Sequence, residues 1–400
     1  MKHIALVLAA TSLLIGCGGD DKKDKDFSIS QDSYAVQTVA ADHSSSQVAI
    51  GNLIGDRTAA QGLLTQAESN FTISTYENYL YHIGKNKIDT ITRLDSTKSA
   101  TSSEWTYGAN HDDEGSANTY TLLQQTTTNG YLVRYGSTFV LQVDPSATVE
   151  ADFVKAKIDL SAYTVEGSPY PRMADAVIYQ DKLFVAMQRL DSSWTPQQAY
   201  IAVIDLETNE EVDINPQLDG LKGIPLNATN TFSLVEHNGQ LYAAGRGDYA
   251  SDTGGLDKID ATTYAVTSLI DENSFPELVT FSDDDDNSND IYYHVMDVAV
   301  VNDNLAYATL NMEQGYTTLE TNIATINPTT GSLAVLTETP ELNAKEISDI
   351  NIDANDRLWL GIANADAPGI LVMDTDTNTI SGDFIELDMP AKRIEFLTVQ

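Results

Sequence analysis

Cysteine and basic side chains are both scarce in this sequence of 400 residues. Its one cysteine, Cys17, leaves no partner for a disulfide within the chain. Only 22 lysines and arginines stand against 59 acidic residues, which gives a formal charge of −37 at pH 7. A basic face for nucleic acid cannot be built from such a composition, so we expect no nucleic-acid partner.

Long apolar runs and the signature motifs of common enzymes are also missing. The apolar stretch from Ile4 to Ile15 is too short to span a bilayer as a permanent helix. The sequence contains no Gly-x-Ser-x-Gly, no glycine-rich phosphate loop and no His-Glu-x-x-His. We therefore expect a protein that is not an enzyme, and we assign no catalytic residue.

The N-terminal segment has the features of a secretion signal, with a basic start, a short apolar core and a small residue before the cleavage point. Leu14-Ile15-Gly16-Cys17 resembles the bacterial lipobox. This resemblance implies that residues 1–16 are a signal peptide and that Cys17 carries acyl chains, which would anchor the protein in a membrane. Gly18 follows the cysteine, and by resemblance to sorted lipoproteins this favours the outer membrane.

Residues 17–31 would then be the lipidated cysteine and a charged tether with nothing to bury. Residues 32–400 would form a single domain. We expect the protein to be lipid-anchored at the outer membrane, and to face either the cell surface or the periplasm.

A repeated unit fills that domain. Each unit has four short strands rich in β-branched and aromatic residues, separated by turn residues. The third strand ends in Asp or Asn, which can accept hydrogen bonds across the following turn. Copies of this marker end at Asp144, Asp205, Asp260, Asn327 and Asp374, and a weaker copy runs from Lys87 to Arg93.

This pattern predicts an all-β fold, a seven-bladed β-propeller of four-stranded antiparallel blades. Six or eight blades stay open as alternatives. The seven predicted units span roughly 32–68, 70–107, 118–166, 170–214, 229–271, 291–338 and 345–388. The tail from Arg393 to Val399 is one further strand, which we expect to close the ring by pairing into the first blade, so that no sheet edge is left exposed.

The stretch from Tyr131 to Val212 includes Arg134-Tyr135-Gly136-Ser137 and Val203-Ile204-Asp205, and it resembles the YncE-like (YVTN-type) seven-bladed propeller lipoproteins of bacteria. The resemblance implies the fold and leaves the function open. Some surface propeller lipoproteins cap a TonB-dependent outer-membrane receptor and pass it a ligand. By that analogy, such a receptor is a candidate partner here.

The loops between second and third strands are the variable ones, and propellers bind ligands at one end of the central channel. If the loops converge there, they place aromatic rings beside arginines, an arrangement that suits a flat, partly anionic ligand or a protein partner. The alternative is that they are ordinary solvent-facing loops. The candidate ligand-binding residues are Arg57, Arg189, Trp194, Arg246, Tyr249 and Tyr316.

Two groups of acids are candidate metal ligands, with calcium as the possible cofactor. Asp175, Asp297 and Asp349 occupy equivalent places in the first strands of three blades, where they could bind a cation on the axis or fix blade-to-blade contacts. The acidic loop between blades five and six offers alternate oxygens from Asp283, Asp285, Asn287 and Asn289, although it lacks the glycine and the distal glutamate of an EF-hand. It could equally be a solvated run of charge.

The expected function is therefore non-enzymatic binding of a small nutrient, such as a corrinoid or a metal chelate, or of a receptor partner. A protein-interaction scaffold in envelope assembly or adhesion is one alternative. A metal-dependent propeller enzyme, a lyase or lactonase, is the other.

Overall fold

The computed structural model describes residues 27–217, 220–248, 254–280, 290–315 and 317–400, and these form seven antiparallel sheets arranged in a ring. Blade 1 contains β1 Ser33–Val39, β2 Ser46–Asn52, β3 Ala60–Gln66 and the last strand of the chain, β29 Ala391–Leu397. Cys17 and the predicted signal peptide lie outside the described residues. No helix in the described ranges is long and apolar enough to cross a membrane.

The other six blades follow in chain order, each with its innermost strand first. Blade 2 has β4 Phe71–Tyr76, β5 Tyr79–Gly84, β6 Thr90–Asp95 and β7 Ser103–Gly108. Blade 3 has β8 Thr119–Thr126, β9 Asn129–Arg134, β10 Phe139–Val143 and β11 Val154–Asp159. Blade 4 has β12 Met173–Tyr179, β13 Lys182–Met187, β14 Tyr200–Asp205 and β15 Ile224–Pro225.

Blade 5 has β16 Thr231–His237, β17 Gln240–Gly245, β18 Gly255–Asp260 and β19 Val266–Ile270. Blade 6 has β20 Ile291–Asn302, β21 Leu305–Gln314, β22 Thr317–Ile326 and β23 Leu333–Val335. Blade 7 has β24 Ile347–Ile352, β25 Arg357–Ile362, β26 Gly369–Asp374 and the short β27 Thr379–Ile380 and β28 Ile385–Glu386. The described helices are single 3-10 turns at Glu150–Asp152, Ser161–Tyr163, Pro276–Leu278 and Pro340–Leu342. The predicted seven-bladed propeller is confirmed.

The ring closes through blade 1, as predicted, because β29 pairs antiparallel with β1. β29 is the innermost strand of that blade, so β1, β2 and β3 become its second, third and fourth strands. The predicted position of the Arg57 loop is therefore wrong. The loop that carries Arg57 joins the third and fourth strands of blade 1, not the second and third.

The core lies between blades rather than within them. Seven clusters of buried apolar side chains each span two neighbouring blades, so every interface in the ring has its own hydrophobic layer. The interface of blades 7 and 1 contains the fully buried Trp359, whose ring lies 4.9 Å from that of Tyr34. Successive side chains along a strand point to opposite faces of the blade. Apolar residues at successive positions therefore contribute to the interfaces on both sides of the blade, which explains the repeated apolar strands in the sequence.

The Asp and Asn residues that end third strands fold the turns, as the sequence analysis expected. Asp205 accepts backbone N–H groups from Glu207 and Thr208, and Asn327 accepts those of Thr329 and Thr330. Blade 2 is an exception to the predicted positions. There the turn acid is Asp95, which accepts the N–H of Thr97 at 3.1 Å, whereas the weaker copy from Lys87 to Arg93 leads into the start of β6.

Replacing one turn acid is expected to cost a modest, local amount of stability. Asp260 accepts N–H bonds from Thr262 and Thr263 at 3.0 and 2.7 Å, and these bonds hold its pKa down at about 2. Asp260→Ala should lower the free energy of unfolding by about 1 kcal/mol, measured by urea denaturation at pH 7. Asp366→Ala, at an exposed loop position, is the matched control, and an equal loss in both variants would contradict the assignment.

Candidate binding site

A β-bulge recurs in the innermost strands. The register shifts by one residue within six of the seven inner strands, and a bulge of this kind re-aims the side chain that follows. The side chains that follow the bulges all line the axial cavities: Arg393, Thr121, Asp175, Ser233, Asp297 and Asp349. In blade 2 the inner strand is regular, and Thr72 lines the channel there. Arg393 is thus the blade 1 counterpart of the predicted aspartates.

Hydrogen bonds to the next blade occupy the three axial aspartates. Asp175 accepts the N–H of Leu234 at 2.9 Å, Asp297 that of Ile350 at 3.0 Å, and Asp349 that of Ile394 at 2.9 Å. These are the blade-to-blade contacts that the sequence analysis weighed against a metal site. Within the described residues, no group of three or more His, Cys, Asp or Glu is placed to hold a metal ion. The three acids therefore serve as contacts between neighbouring blades.

Burial and mutual repulsion shift the titration of these acids. Burial raises the pKa of Asp175 to about 6, against the opposing pull of Arg393. Burial also raises the pKa of Asp297, and burial together with the neighbouring Asp297 raises that of Asp349 well above its usual range. Arg393 donates to Glu395 at 2.8 Å and is the cation that offsets this acidic ring.

The axial side chains separate two cavities. The lower cavity, of about 620 Å3, lies toward the ends of the inner strands and is lined by residues such as Val177, His237 and Asp356. The upper cavity, of about 350 Å3, lies where the inner strands begin and is lined by residues such as Lys85, Tyr120 and Lys392. Because the strands of a blade alternate in direction, the loops between second and third strands share the upper end.

Three cations meet at the upper cavity, which we call the channel mouth: Lys85, Lys392 and Arg393. Lys85 follows the second strand of blade 2, while the other two lie on the closing strand β29. Burial and the two neighbouring cations lower the pKa of Lys85. Neither lysine forms an ion pair or a side-chain hydrogen bond with any described residue. Asp175 and Asp349 also line this cavity. The unpaired lysines nevertheless give it positive charge that could attract an anion in a chain of charge −37.

A row of stacked rings and cations leads outward from the channel mouth, and we call it the cation–aromatic ladder. The Nζ atom of Lys85 lies 5.2 Å from the ring centre of Tyr120, whose ring stacks on Tyr135 at 4.8 Å. The guanidinium carbon of Arg172 lies 5.4 Å from the ring centre of Tyr135 and 4.0 Å from that of Trp194. The ladder therefore crosses blades 2, 3 and 4 at the upper end.

Hydrogen bonds within its loop hold Trp194 in an exposed position. The Asp191 side chain accepts the N–H groups of Ser193 and Thr195 at 2.8 and 3.0 Å, which fixes the turn. Trp194 itself adopts a left-handed φ of 66°, an unfavourable conformation for a bulky residue, and its side chain is 55% exposed. A strained backbone that presents an exposed indole ring is typical of a recognition surface.

The other predicted ligand-binding residues fall in different surroundings. Arg189 donates to the carbonyls of Tyr163 and Gln198, and Arg246 forms a buried ion pair with Glu313, so both hold their loops in place. Arg57 donates to the Ser381 carbonyl at 2.8 Å and lies at the lower end, away from the channel mouth. Of the predicted set, Trp194 alone among the described residues belongs to the ladder. The remaining candidates lie outside the described residues: Tyr249, Tyr316, Asp283, Asp285, Asn287 and Asn289.

Sequence reasoning missed most of the channel mouth and the ladder. Arg393 could have been found by aligning the tail with the other inner strands, since Ala391-Lys392-Arg393-Ile394 matches Met173-Ala174-Asp175-Ala176 across the bulge. The stacking of Tyr120 on Tyr135 carries no comparable signal, because Tyr120 lies on β8 and Tyr135 follows β9, and only the register of these two paired strands places the rings together.

Solved structures similar to this chain are propellers. The periplasmic gluconolactonase of Pseudomonas aeruginosa matches with a TM-score of 0.57 at 11% identity, over 93% of this chain and 100% of that one. A proposed 6-phosphogluconolactonase from Bacteroides uniformis matches with a TM-score of 0.57 at 12% identity, over 92% and 99%. A Lactobacillus plantarum protein gives 0.57 at 12% identity, over 92% and 100%. No protein-family model and no curated protein matches the sequence. At these identities the likeness concerns the fold alone.

Proposed function

We propose that this protein is a non-enzymatic binding protein that captures a small organic anion, such as an anionic metal chelate, at the channel mouth. The observation that carries the proposal is the convergence of Lys85, Lys392 and Arg393 on one cavity of about 350 Å3. The two lysines have no carboxylate partner among the described residues, although acids outnumber bases in the chain. A bound anion would supply the missing charge and would favour the protonated form of Lys85.

The setting of this function is also a proposal. An acylated Cys17 would tether the propeller to the outer membrane, and a TonB-dependent receptor is the partner to which captured ligand would pass. The lipobox-like segment and the charged tether in the sequence support the anchor. The ladder, which reaches the upper surface, would give such a receptor access to the ligand.

A ligand screen by thermal shift tests the proposal. The purified protein is exposed to ferric citrate, haem, a corrinoid, gluconate and inorganic phosphate. A ligand present at about 100 times its dissociation constant should stabilise the protein by roughly 2.7 kcal/mol. Lys85→Met and Lys392→Met should each weaken binding about tenfold, because each removes one charge-assisted contact. Lys155→Met, on the outer strand of blade 3, removes the same charge far from the channel and should leave binding unchanged.

Unaltered affinity in the Lys85→Met/Lys392→Met double variant would overturn the proposal. The screen also includes gluconolactone, because two of the similar structures bear lactonase names. In addition, Asp297 and Asp349, whose carboxyl pKa values are raised, line the lower cavity. Turnover of that lactone, lost in Asp297→Asn, would instead favour the enzyme alternative. Stable capture of a protein, with no ligand response, would favour the scaffold.

A further inference from the structure

Arg172 differs from every other arginine in the chain. Each of the others donates at least one hydrogen bond from its guanidinium group to a carbonyl or a carboxylate. The Arg172 side chain donates none to the described residues and has no ion pair among them, and its buried Nε has no partner. Its guanidinium group lies over the faces of Trp194 and Tyr135.

This arrangement leaves hydrogen-bonding capacity for a ligand. A guanidinium group has five N–H donors in a planar fork that matches a carboxylate or a phosphate. Buried polar groups in native proteins almost always have a partner, so an unsatisfied donor calls for one. The surrounding rings fix the orientation of the fork without using its donors, which is how a preorganised anion site is built.

Backbone geometry fixes Arg172 and its neighbours further. Arg172 has a left-handed φ of 60°, and its carbonyl accepts the N–H of Gln188 at 3.0 Å. The Gln188 side chain in turn accepts the Tyr135 hydroxyl at 2.8 Å, which anchors the middle of the ladder. Lys85 and Arg172 therefore flank a stacked tyrosine pair whose outer ring, that of Tyr135, is held by a hydrogen bond.

We propose that Arg172 and Trp194 form a second subsite, so that the ligand of the channel mouth is an elongated organic dianion. One anionic group is bound by Lys85, Lys392 and Arg393, and the other by the guanidinium fork of Arg172. The part of the ligand next to the second group lies on the exposed indole ring of Trp194. This inference rests on the proposed function, because it names the class of ligand that the same site takes.

Linking the two anionic groups should raise affinity, since the second group binds as an intramolecular event. The gain also depends on the spacing of the two groups, because a linker that cannot span the subsites gains nothing. A single small anion would use the channel mouth alone and would be insensitive to Arg172.

Titration calorimetry on the purified protein tests the inference. Suberate, sebacate and terephthalate are compared, each beside the monocarboxylate with the same carbon skeleton. The best-matched dianion should bind at least about tenfold more tightly than its monoanion. Arg172→Gln should abolish that advantage while leaving the monoanion unaffected, and Trp194→Ala, at an exposed position, should reduce it. Arg172→Lys keeps the charge without the fork and should restore only part of the advantage.

Equal affinities for every dianion and its monoanion in the wild-type protein would overturn the inference, as would an unchanged advantage in Arg172→Gln. Thermal melting of each variant without ligand confirms that it is folded. The two proposals can fail separately. If the lysine variants lose monoanion binding while Arg172→Gln has no effect, the channel mouth binds anions and the second subsite does not exist.

Discussion

Deletion of residues 391–400 is expected to abolish cooperative folding. The deletion removes β29, which is the innermost strand of blade 1 and packs against the inner strands of blades 7 and 2. It would uncover the apolar layer around Trp359 and Tyr34, from which Ala391 and Ile394 are lost. It would also expose an unpaired edge along β1, which is a template for aggregation. A loss of several kcal/mol at one interface is comparable to the whole stability of a domain.

Circular dichroism and thermal melting would measure this effect. The truncated protein should show no cooperative transition and should elute as aggregate in size-exclusion chromatography. Deletion of residues 398–400 is the matched control, because it keeps β29. It removes the N–H bond of Thr398 to the Glu77 carbonyl, the N–H bond of Val399 to the Asp32 carboxylate, and the Val399 side chain at the edge of one apolar cluster. A cooperative melt of the longer deletion, close to that of the intact chain, would show that the ring holds without its closing strand.

Asp175 is expected to make stability depend on pH between about pH 4 and pH 6. Its pKa of about 6 in the folded protein exceeds that of an unfolded aspartate, so the folded state holds the proton more firmly between these two values. Protonation of Asp175 therefore stabilises the fold fully below about pH 4, and this contribution is lost as the pH rises through about 6. The shift corresponds to roughly 3 kcal/mol.

Urea denaturation from pH 4 to pH 8 of the wild type and of Asp175→Asn would measure this term. The difference in unfolding free energy between the two proteins should change by up to about 3 kcal/mol across the range, because the wild type becomes less stable relative to Asp175→Asn as the pH rises. Asp366→Asn, at an exposed loop position, controls for the general effect of removing one charge. A constant difference between wild type and Asp175→Asn at every pH would refute the prediction.

The fold could be predicted because its signals are local and repeated. A strand that ends in Asp205 or Asp260, followed by a turn whose N–H groups bond the aspartate side chain, can be recognised within ten residues of sequence. The closing role of the tail was also predictable, since a lone apolar strand needs a partner. Its place as the innermost strand of blade 1 was not, because either edge of that blade would have satisfied the strand. That single difference moved Arg57 from the predicted face to the opposite one.

The candidate binding site was less predictable than the fold because it depends on contacts between blades. Asp175, Asp297 and Asp349 were correctly recognised as equivalent, yet their oxygens are used by backbone groups of the next blade, which only the ring brings close. Arg189 and Arg246 are residue types that often bind ligands, but their guanidinium groups are held by the protein: Arg189 by the carbonyls of Tyr163 and Gln198, and Arg246 by Glu313 of the next blade. Arg172 lies just before β12 rather than in a variable loop, so a search of those loops passes over it.

Because Lys392 and Arg393 lie on β29, closure of the ring and binding of an anion at the channel mouth would depend on the same strand. β29 follows blades 2 to 7 in the chain, so those blades can be present while the channel mouth still lacks two of its three cations. Any anion held by Lys392 and Arg393 binds the closed ring and not the open one, and it therefore stabilises closure by RT ln(1 + [L]/Kd). If the proposed anion binds there, its capture and the completion of the ring are linked in one equilibrium, and the protein without ligand should open at blade 1 more readily than the protein with ligand.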